Sequence, residues 1–415
     1  MKITLFIPFM VIVLLQWYVY SGIKPLVIKS AWMSLNIFTA VYVVLAALTA
    51  VCYFYVFTQG SHEMGNTFNK VLIAYIFITT LPLVVFSAFL LVDDLGRLVR
   101  WVGTLFQPQA SASASAGASI SRSQFLVQSG LVTGGALLTA LTYGVIRGGH
   151  QYKVFRKTVR LKNLPDAFDG IKILQLSDIH AGSFWSKTAV QKGVDLAMQQ
   201  NADMVFFTGD LVNNLASEMK GYESIFSQVK APMGVYSVLG NHDYADYLPE
   251  LTDQERADNM LAMFETHKKL GWKLMMNENE VIEKGNSKLA VIGIENWSSH
   301  ARFPKYGKMA EAYSGTEDAD VKLLLSHDPS HWKAQVIKEY PEVDITFSGH
   351  THGMQMGVEV GGVKWSPSKL MYPEWAGLYS EGDQHLYVNR GFGFIGYPGR
   401  FGIRPEITVL TLKKA

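Results

Sequence analysis

The sequence predicts an α/β domain carried behind a membrane-spanning helical portion. Three observations predict it. Apolar residues make up 49% of the chain and charged residues only 17%, which is low in charge for a soluble protein. Long apolar runs crowd into residues 1–150. From residue 151 onward, short strand-like apolar runs alternate with helical polar–apolar patterns, as expected of α/β layers. At 415 residues the chain is too long for one ordinary domain. The reading is a multi-pass anchor over 1–150 and a domain over 151–415 large enough for one sizeable core.

A helix needs about 20 apolar residues to cross the hydrocarbon core. Residues 3–20 form one uncharged run. Residues 36–57 form a second, ending in Tyr53, Phe54, Tyr55 and Phe57, aromatics that suit an interface. Residues 71–92 form a third, with Pro82 as a tolerated kink. Residues 125–146 form a fourth, whose Gly130 and Gly134 make a face against which another helix can pack closely. A signal peptide would account for the first run only. Between the third and fourth runs, residues 107–123 are largely a Ser/Ala alternation, a linker composition with no core to make. The single cysteine, Cys52, cannot form an internal disulfide and lies in an apolar run as a small hydrophobe.

The loops on one side carry Lys24, Lys29, Arg97, Arg100 and Arg122; the other side carries Lys2, Lys70 and the basic stretch 147–162. That stretch begins a large domain, where the positive-inside rule does not apply, and discounting it puts the following domain outside the cytoplasm. Ser121-Arg122-Ser123-Gln124-Phe125-Leu126 resembles a twin-arginine export signal with only one arginine. The net charge of +2 is too small to suggest a nucleic-acid partner.

In the second portion, residues 171–177, 204–207, 235–238, 289–292, 321–325 and 343–347 read as strands, and 187–200, 254–269 and 330–339 as helices. The polar residues at the ends of these strands carry the chemistry. Asp178 and His180 stand at i and i+2 after the first strand, so both can face one ion. Gly209-Asp210, Gly240-Asn241-His242-Asp243, Ser326-His327-Asp328 and Gly349-His350-Thr351-His352-Gly353 come after later strands. Ligands of open α/β sheets gather at such an edge.

Carboxylate, amide oxygen and imidazole with no thiolate suit borderline divalent ions. Asp178, His180, Asp210, Asn241, His327, His350 and His352 are too many for one tetrahedral ion. They suit two ions about 3.5–4 Å apart, with Asp210 as the shared carboxylate. Glycines 209, 240 and 349 permit turns that aim the side chains inward. A water between the ions would have a lowered pKa and attack phosphorus. His242 is free to protonate the leaving oxygen, with Asp243 orienting its ring.

Taken together, Asp-x-His, Gly-Asp-x-x-x-Asn (209–214), Gly-Asn-His-Asp and Gly-His-Thr-His-Gly resemble the calcineurin-like metallophosphoesterase superfamily. The resemblance covers about residues 151–415. It implies a four-layer αββα sandwich of two mixed β-sheets and two divalent ions, Mn²⁺ favoured over Fe²⁺ or Zn²⁺. It also implies that Asp178, His180, Asp210 and His352 bind one ion, that Asp210, Asn241, His327 and His350 bind the other, and that His242 is the general acid. The ending from Asn389-Arg390-Gly391-Phe392-Gly393 to Arg404-Pro405-Glu406-Ile407 resembles the membrane-attached bacterial branch, which has a second glycine where this chain has Met354.

Singly, Asp178, Asp210, Asn241 and Asp243 would read as turn residues, and His327 as a core histidine. Asn213 or Asn214 reads as a support for the ligands or as a surface turn. Arg390, Arg400 and Arg404 read as carboxylate partners or as a clamp on phosphate. The aromatic stretch from Trp365 to Phe401 reads as core, with contact to headgroups as the alternative. The leading function is a phosphoesterase held at the bilayer, acting on a phosphate mono- or diester of a lipid or lipid-linked substrate. Two alternatives stand beside it: hydrolysis of a UDP-diacylglucosamine-type pyrophosphate, and a non-catalytic metal-binding membrane sensor. A transporter is disfavoured, because the apolar runs contain no acid or base.

Overall fold

The computed structural model describes residues 3–30, 33–59, 67–106 and 122–415. It divides into two compact units, Met1–Tyr143 and Gly144–Ala415. Most of the Ser/Ala linker, together with Lys2 and Ser121, lies outside the described residues.

The first unit is built from helices α1 (Ile3–Ser30), α2 (Leu35–Gln59), α3 (Thr67–Thr104) and α4 (Arg122–Ile146, its end falling in the second unit). All four are long and apolar enough to cross a membrane. Val19, Phe86, Leu90 and Val127 close together where α1, α3 and α4 meet. A side chain at Gly130 would run into Phe86 and Phe89 of α3, which is why the small-residue face of α4 lies there. The helices are longer than the uncharged runs. With 38 residues, α3 is about 57 Å long at the usual rise, and it carries Lys70 and Asp93 as buried residues. Acid and base thus flank the apolar run of α3, at Lys70 and Asp93, within the same helix.

The second unit is a sandwich of two six-stranded mixed sheets. One sheet contains β1 (Lys153–Leu161), β2 (Lys172–Leu176), β3 (Met204–Thr208), β4 (Val235–Val238), β5 (Lys273–Leu274) and β14 (Glu406–Lys414), in the order β1-β14-β2-β3-β4-β5. The other contains β6 (Glu278–Lys284), β7 (Ser287–Gly293), β8 (Val321–Leu325), β9 (Ile345–Ser348), β12 (Gly377–Glu381) and β13 (Gln384–Val388), in the order β12-β13-β9-β8-β7-β6. A separate hairpin joins β10 (Val358–Val360) to β11 (Val363–Trp365).

Period-2 alternation assigns each strand residue to a layer. Ile173, Phe206, Leu323, Leu325 and Phe347 point between the sheets and form their shared core. Leu174, Leu176, Val205 and Phe207 point outward, beneath Val190, Val194 and Ala197 of helix α5 (Lys187–Met198). On the far side, Ile292, Leu324 and Val388 pack under Trp332 and Val336. The layers are helix, sheet, sheet, helix. Strands β2, β3 and β4 run parallel in one sheet and β8 and β9 run parallel in the other. The strand ends that bear the motifs thus come from two sheets, not from the single edge expected of an open sheet.

Candidate metal centre

Five of the seven proposed donors sit in the left-handed backbone region: Asp178 (φ 50°), His180 (φ 50°), Asp210 (φ 60°), His350 (φ 70°) and His352 (φ 50°). Each such residue costs about 1–2 kcal/mol relative to a right-handed one, and strain of this kind collects at functional sites. The chain leaves a strand, reverses sharply and aims a side chain at a common point. Backbone bonds hold the reversals: Asp178 N–H donates to Gly209 O at 2.9 Å and His180 N–H to Asp210 O at 3.2 Å. Only Gly209 of the three flanking glycines needs a positive φ (92°). Gly349 is required for space, because a side chain there would strike Ser177 and the Asp178 carboxylate.

Two donor groups result. Asp178, His180 and His352 form one, and Asp210, His327 and His350 the other, with the ligand atoms of each group within 4.8 Å of one another. Asp210 stands between them: its Oδ2 lies 3.5 Å from His180 Nε2 and 3.2 Å from His327 Nε2. Asn241 Oδ1 approaches His350 Nδ1 at 2.8 Å, so the amide joins the second group. The structure thus brings all seven proposed donors together.

The ring atoms facing away from the centre have partners. His180 Nδ1 meets the Val212 carbonyl at 3.1 Å and His327 Nδ1 the Thr208 carbonyl at 2.6 Å. These contacts put a proton on each Nδ1 and turn each Nε2 inward. His350 Nε2 meets the Tyr372 hydroxyl at 2.8 Å. His352 differs, since Arg400 Nη2 donates to its Nδ1 at 2.9 Å. Arg400 is 1% exposed and also donates to the carbonyls of Arg390 and Gly393. It pairs with no carboxylate among the described residues. Arg390 does pair with carboxylates, Glu406 and Glu359. Arg404 is exposed. Most of the aromatic stretch, Tyr372, Trp375, Phe392, Phe394 and Tyr397, is buried packing, while Trp365 is exposed.

His242 lies beside the first group, its ring 5.1 Å from that of His180. Its Nδ1 meets the Asn213 carbonyl at 2.7 Å. Asp243 does not touch that ring. Its carboxylate accepts from the backbone N–H groups of Asp210, Leu211 and Gly240 at 2.8–2.9 Å. Asn213 therefore orients the general-acid candidate, and Asp243 ties together the turns carrying Asp210 and Asn241. At the rim, Tyr247 packs on His242, Phe303 meets His350 edge-on, and Arg302 lies over Phe303. No motif marked Tyr247, Arg302, Phe303 or Tyr372.

Electrostatics favour a bound cation. Burial pushes the Asp178 carboxyl up to about 7, against the pull of His327. Burial lowers His180 to about 3 and His350 to about 4, leaving neutral imidazoles suited to ligation. Against the cost of burial, Asp210 holds His327 up to about 10. A buried carboxylate thus recruits an imidazolium, the kind of neutralisation that a divalent ion provides more fully. Oxygen and nitrogen donors without thiolate fit such an ion.

Residues 1–149 match the model of a probable calcineurin-like phosphoesterase transmembrane domain, and residues 171–354 match that of the calcineurin-like phosphoesterases. The chain belongs to the calcineurin-like phosphoesterases. A transmembrane protein with metallophosphoesterase domain from Danio rerio is 28% identical over 287 residues, 67% of this chain and 62% of that one. The chain thus spans less than two thirds of that relative's length. The Bacillus subtilis metallophosphoesterase YkuE is 29% identical over 300 residues, 71% of this chain and 98% of that one. The Escherichia coli phosphodiesterase YaeI is 29% identical over 259 residues, 61% of this chain and 86% of that one.

Proposed function

We propose that this chain is a membrane-anchored phosphoesterase that hydrolyses a phosphate mono- or diester at two divalent cations. The observation that carries the reading is the Asp210 carboxylate standing between two donor groups. In this reading Asp178, His180, Asp210 and His352 hold one ion, and Asp210, Asn241, His327 and His350 hold the other. Cations bound there supply Lewis-acid chemistry, drawing charge from phosphoryl oxygens and acidifying water. The remaining tasks fall to side chains. His242 keeps Nδ1–H on the Asn213 carbonyl, so the imidazolium form presents its second proton, on Nε2, to the departing oxygen and returns to the neutral ring. Asp243 fixes the spacing of Asp210 and Asn241 through backbone N–H groups. Arg302, with no carboxylate partner among the described residues, meets a non-bridging phosphate oxygen of the substrate.

Four membrane-crossing helices on the same chain favour a lipid or lipid-linked substrate, and the Escherichia coli relative's name favours a diester. The loop charges favour an extracytoplasmic centre. Protease protection on sealed vesicles checks that side, and an inward-facing centre would turn the choice to UDP-diacylglucosamine-type pyrophosphates. The activity itself is tested with the purified full chain, Mn²⁺ and bis-p-nitrophenyl phosphate. Asp210→Asn should lose roughly a thousandfold in rate and His242→Ala about a hundredfold. Wild-type rates in both variants would remove the mechanism, and a sensor would show bound metal without turnover.

A further inference from the structure

The helical unit contains a cavity of about 340 Å³ between α1, α3 and α4, lined by both charged and apolar residues. Its lining includes two cations, Lys29 and Arg97, and two carboxylates, Asp93 and Asp94. It lies where three apolar stretches end in charge. Lys29 is in the last turn of α1. Asp93 comes directly after the apolar run of α3, and Ser123 and Gln124 are in the first turn of α4. Tyr18 to Asp94 at 2.7 Å, Lys29 to Gln124 at 3.3 Å and Arg97 to Ser123 at 2.9 Å tie these ends together. A site at the end of the hydrocarbon core is at the depth of lipid headgroups.

The bonding leaves specific valences unused. Asp93, only 4% exposed, takes Arg97 Nη2 and the Ser123 hydroxyl on one oxygen, so this buried acid is neutralised from within. Arg97 commits only Nη2 to these contacts. Lys29 donates only to an amide oxygen and has no carboxylate partner among the described residues. Asp94 accepts from Tyr18 on Oδ2 and keeps Oδ1. Two cations and one carboxylate oxygen thus face one cavity whose four charged groups sum to zero. A polyanion would leave Asp94 opposed to it, whereas a phosphate joined to a primary amine satisfies both signs. Leu26, Leu90 and Val127 supply an apolar wall for the first carbons of the acyl chains. Charged pockets between membrane helices hold headgroups in this way.

We propose that this cavity binds the headgroup of a zwitterionic phospholipid, with its phosphate on Lys29 and Arg97 and its primary ammonium on Asp94. The proposal does not depend on the phosphoesterase reading.

Native mass spectrometry of the full chain, released from bilayers with equal phosphatidylethanolamine, phosphatidylcholine and phosphatidylglycerol, tests it. Wild type should retain one ethanolamine lipid in preference to the others, because a quaternary amine cannot donate to Asp94. Lys29→Ala and Asp94→Asn, both at exposed positions, should each weaken retention about tenfold, the equivalent of one good polar contact. Asp94→Asn should also erase the preference for a primary over a quaternary amine. Equal retention of all three lipids, preference for the anionic lipid, or unchanged retention in both variants would overturn the proposal. So would displacement of the lipid by soluble phosphoethanolamine at equal concentration, which would make the ligand a free headgroup. Mn²⁺-dependent hydrolysis and thermal unfolding, unchanged in both variants, report that the chain is folded.

Discussion

Val44 in α2 and Val360 at the tip of the β10–β11 hairpin are exposed to nearly the same degree, 66% and 73%. Both have exposed apolar neighbours, but the extent differs. Around Val44, the helices turn Val41, Leu45, Leu48 and Val51 outward as well, so apolar exposure is continuous. The sheet unit instead seals Ile173, Phe206, Leu323 and Phe347 at 0% and confines most of its exposed apolar residues to the β10–β11 hairpin and the segment after it, with Val358, Val363, Trp365 and Leu370 beside Val360. One unit is finished by a lipid solvent and the other by its own second sheet. Exposure has an energetic meaning only once the medium is named.

This contrast can be broken in three ways. The largest effect should come from removing cations. Chelation should cost the sheet unit about 4 kcal/mol if the free ion had stood at roughly 1,000 times its Kd. That is a fall in midpoint on the order of 10 °C for a domain of this size. Near-ultraviolet dichroism from buried Trp332 and Trp375 reports it, while the helical signal of the membrane unit should hold. A joint loss of both signals would mean that the units do not melt separately.

The next effect compares one substitution in two places. Val44→Lys should cost about 2.5–3.5 kcal/mol of insertion, read as the membrane-integrated fraction. Val360→Lys should change stability by less than about 0.5 kcal/mol. Similar costs at the two sites would show that α2 does not face lipid.

The smallest effect is a pH slope. His267 is 1% exposed, and burial lowers its imidazole to about 4. The unfolded chain takes up the proton near 6.5 and the folded one does not until about 4. The stability from keeping this ring neutral is therefore present above pH 6.5 and lost as pH falls towards 4. It is lost at up to about 1.4 kcal/mol per pH unit. Thermal melts between pH 7.5 and 5 should show the slope, and His267→Gln should flatten it.

The motifs that supply the candidate metal donors were legible because the chemistry restricts residue type, and because each motif sits at a turn after an apolar strand. The crossing helices were legible from hydropathy, but their ends were not. The uncharged run stops at Val92, whereas α3 continues to Thr104, since charge ends an apolar stretch without ending a helix. The insertion of β14 between β1 and β2 left no local mark, because pairs such as Thr408 with Gln175 depend on tertiary assembly. The role of Asp243 was misread for a different reason: a carboxylate accepts a ring N–H or a backbone N–H equally well, and only coordinates distinguish the two. Arg400 presented the same difficulty, because nothing in its sequence neighbourhood names a histidine as its acceptor.

The left-handed donors imply how this centre would decay. At Asp178, His180, Asp210, His350 and His352 a glycine would relieve the backbone, so each residue is kept against a standing thermodynamic preference. A duplicate gene freed from hydrolytic selection should drift to glycine at these five positions first. Its cation-free product should then melt above the cation-free ancestor.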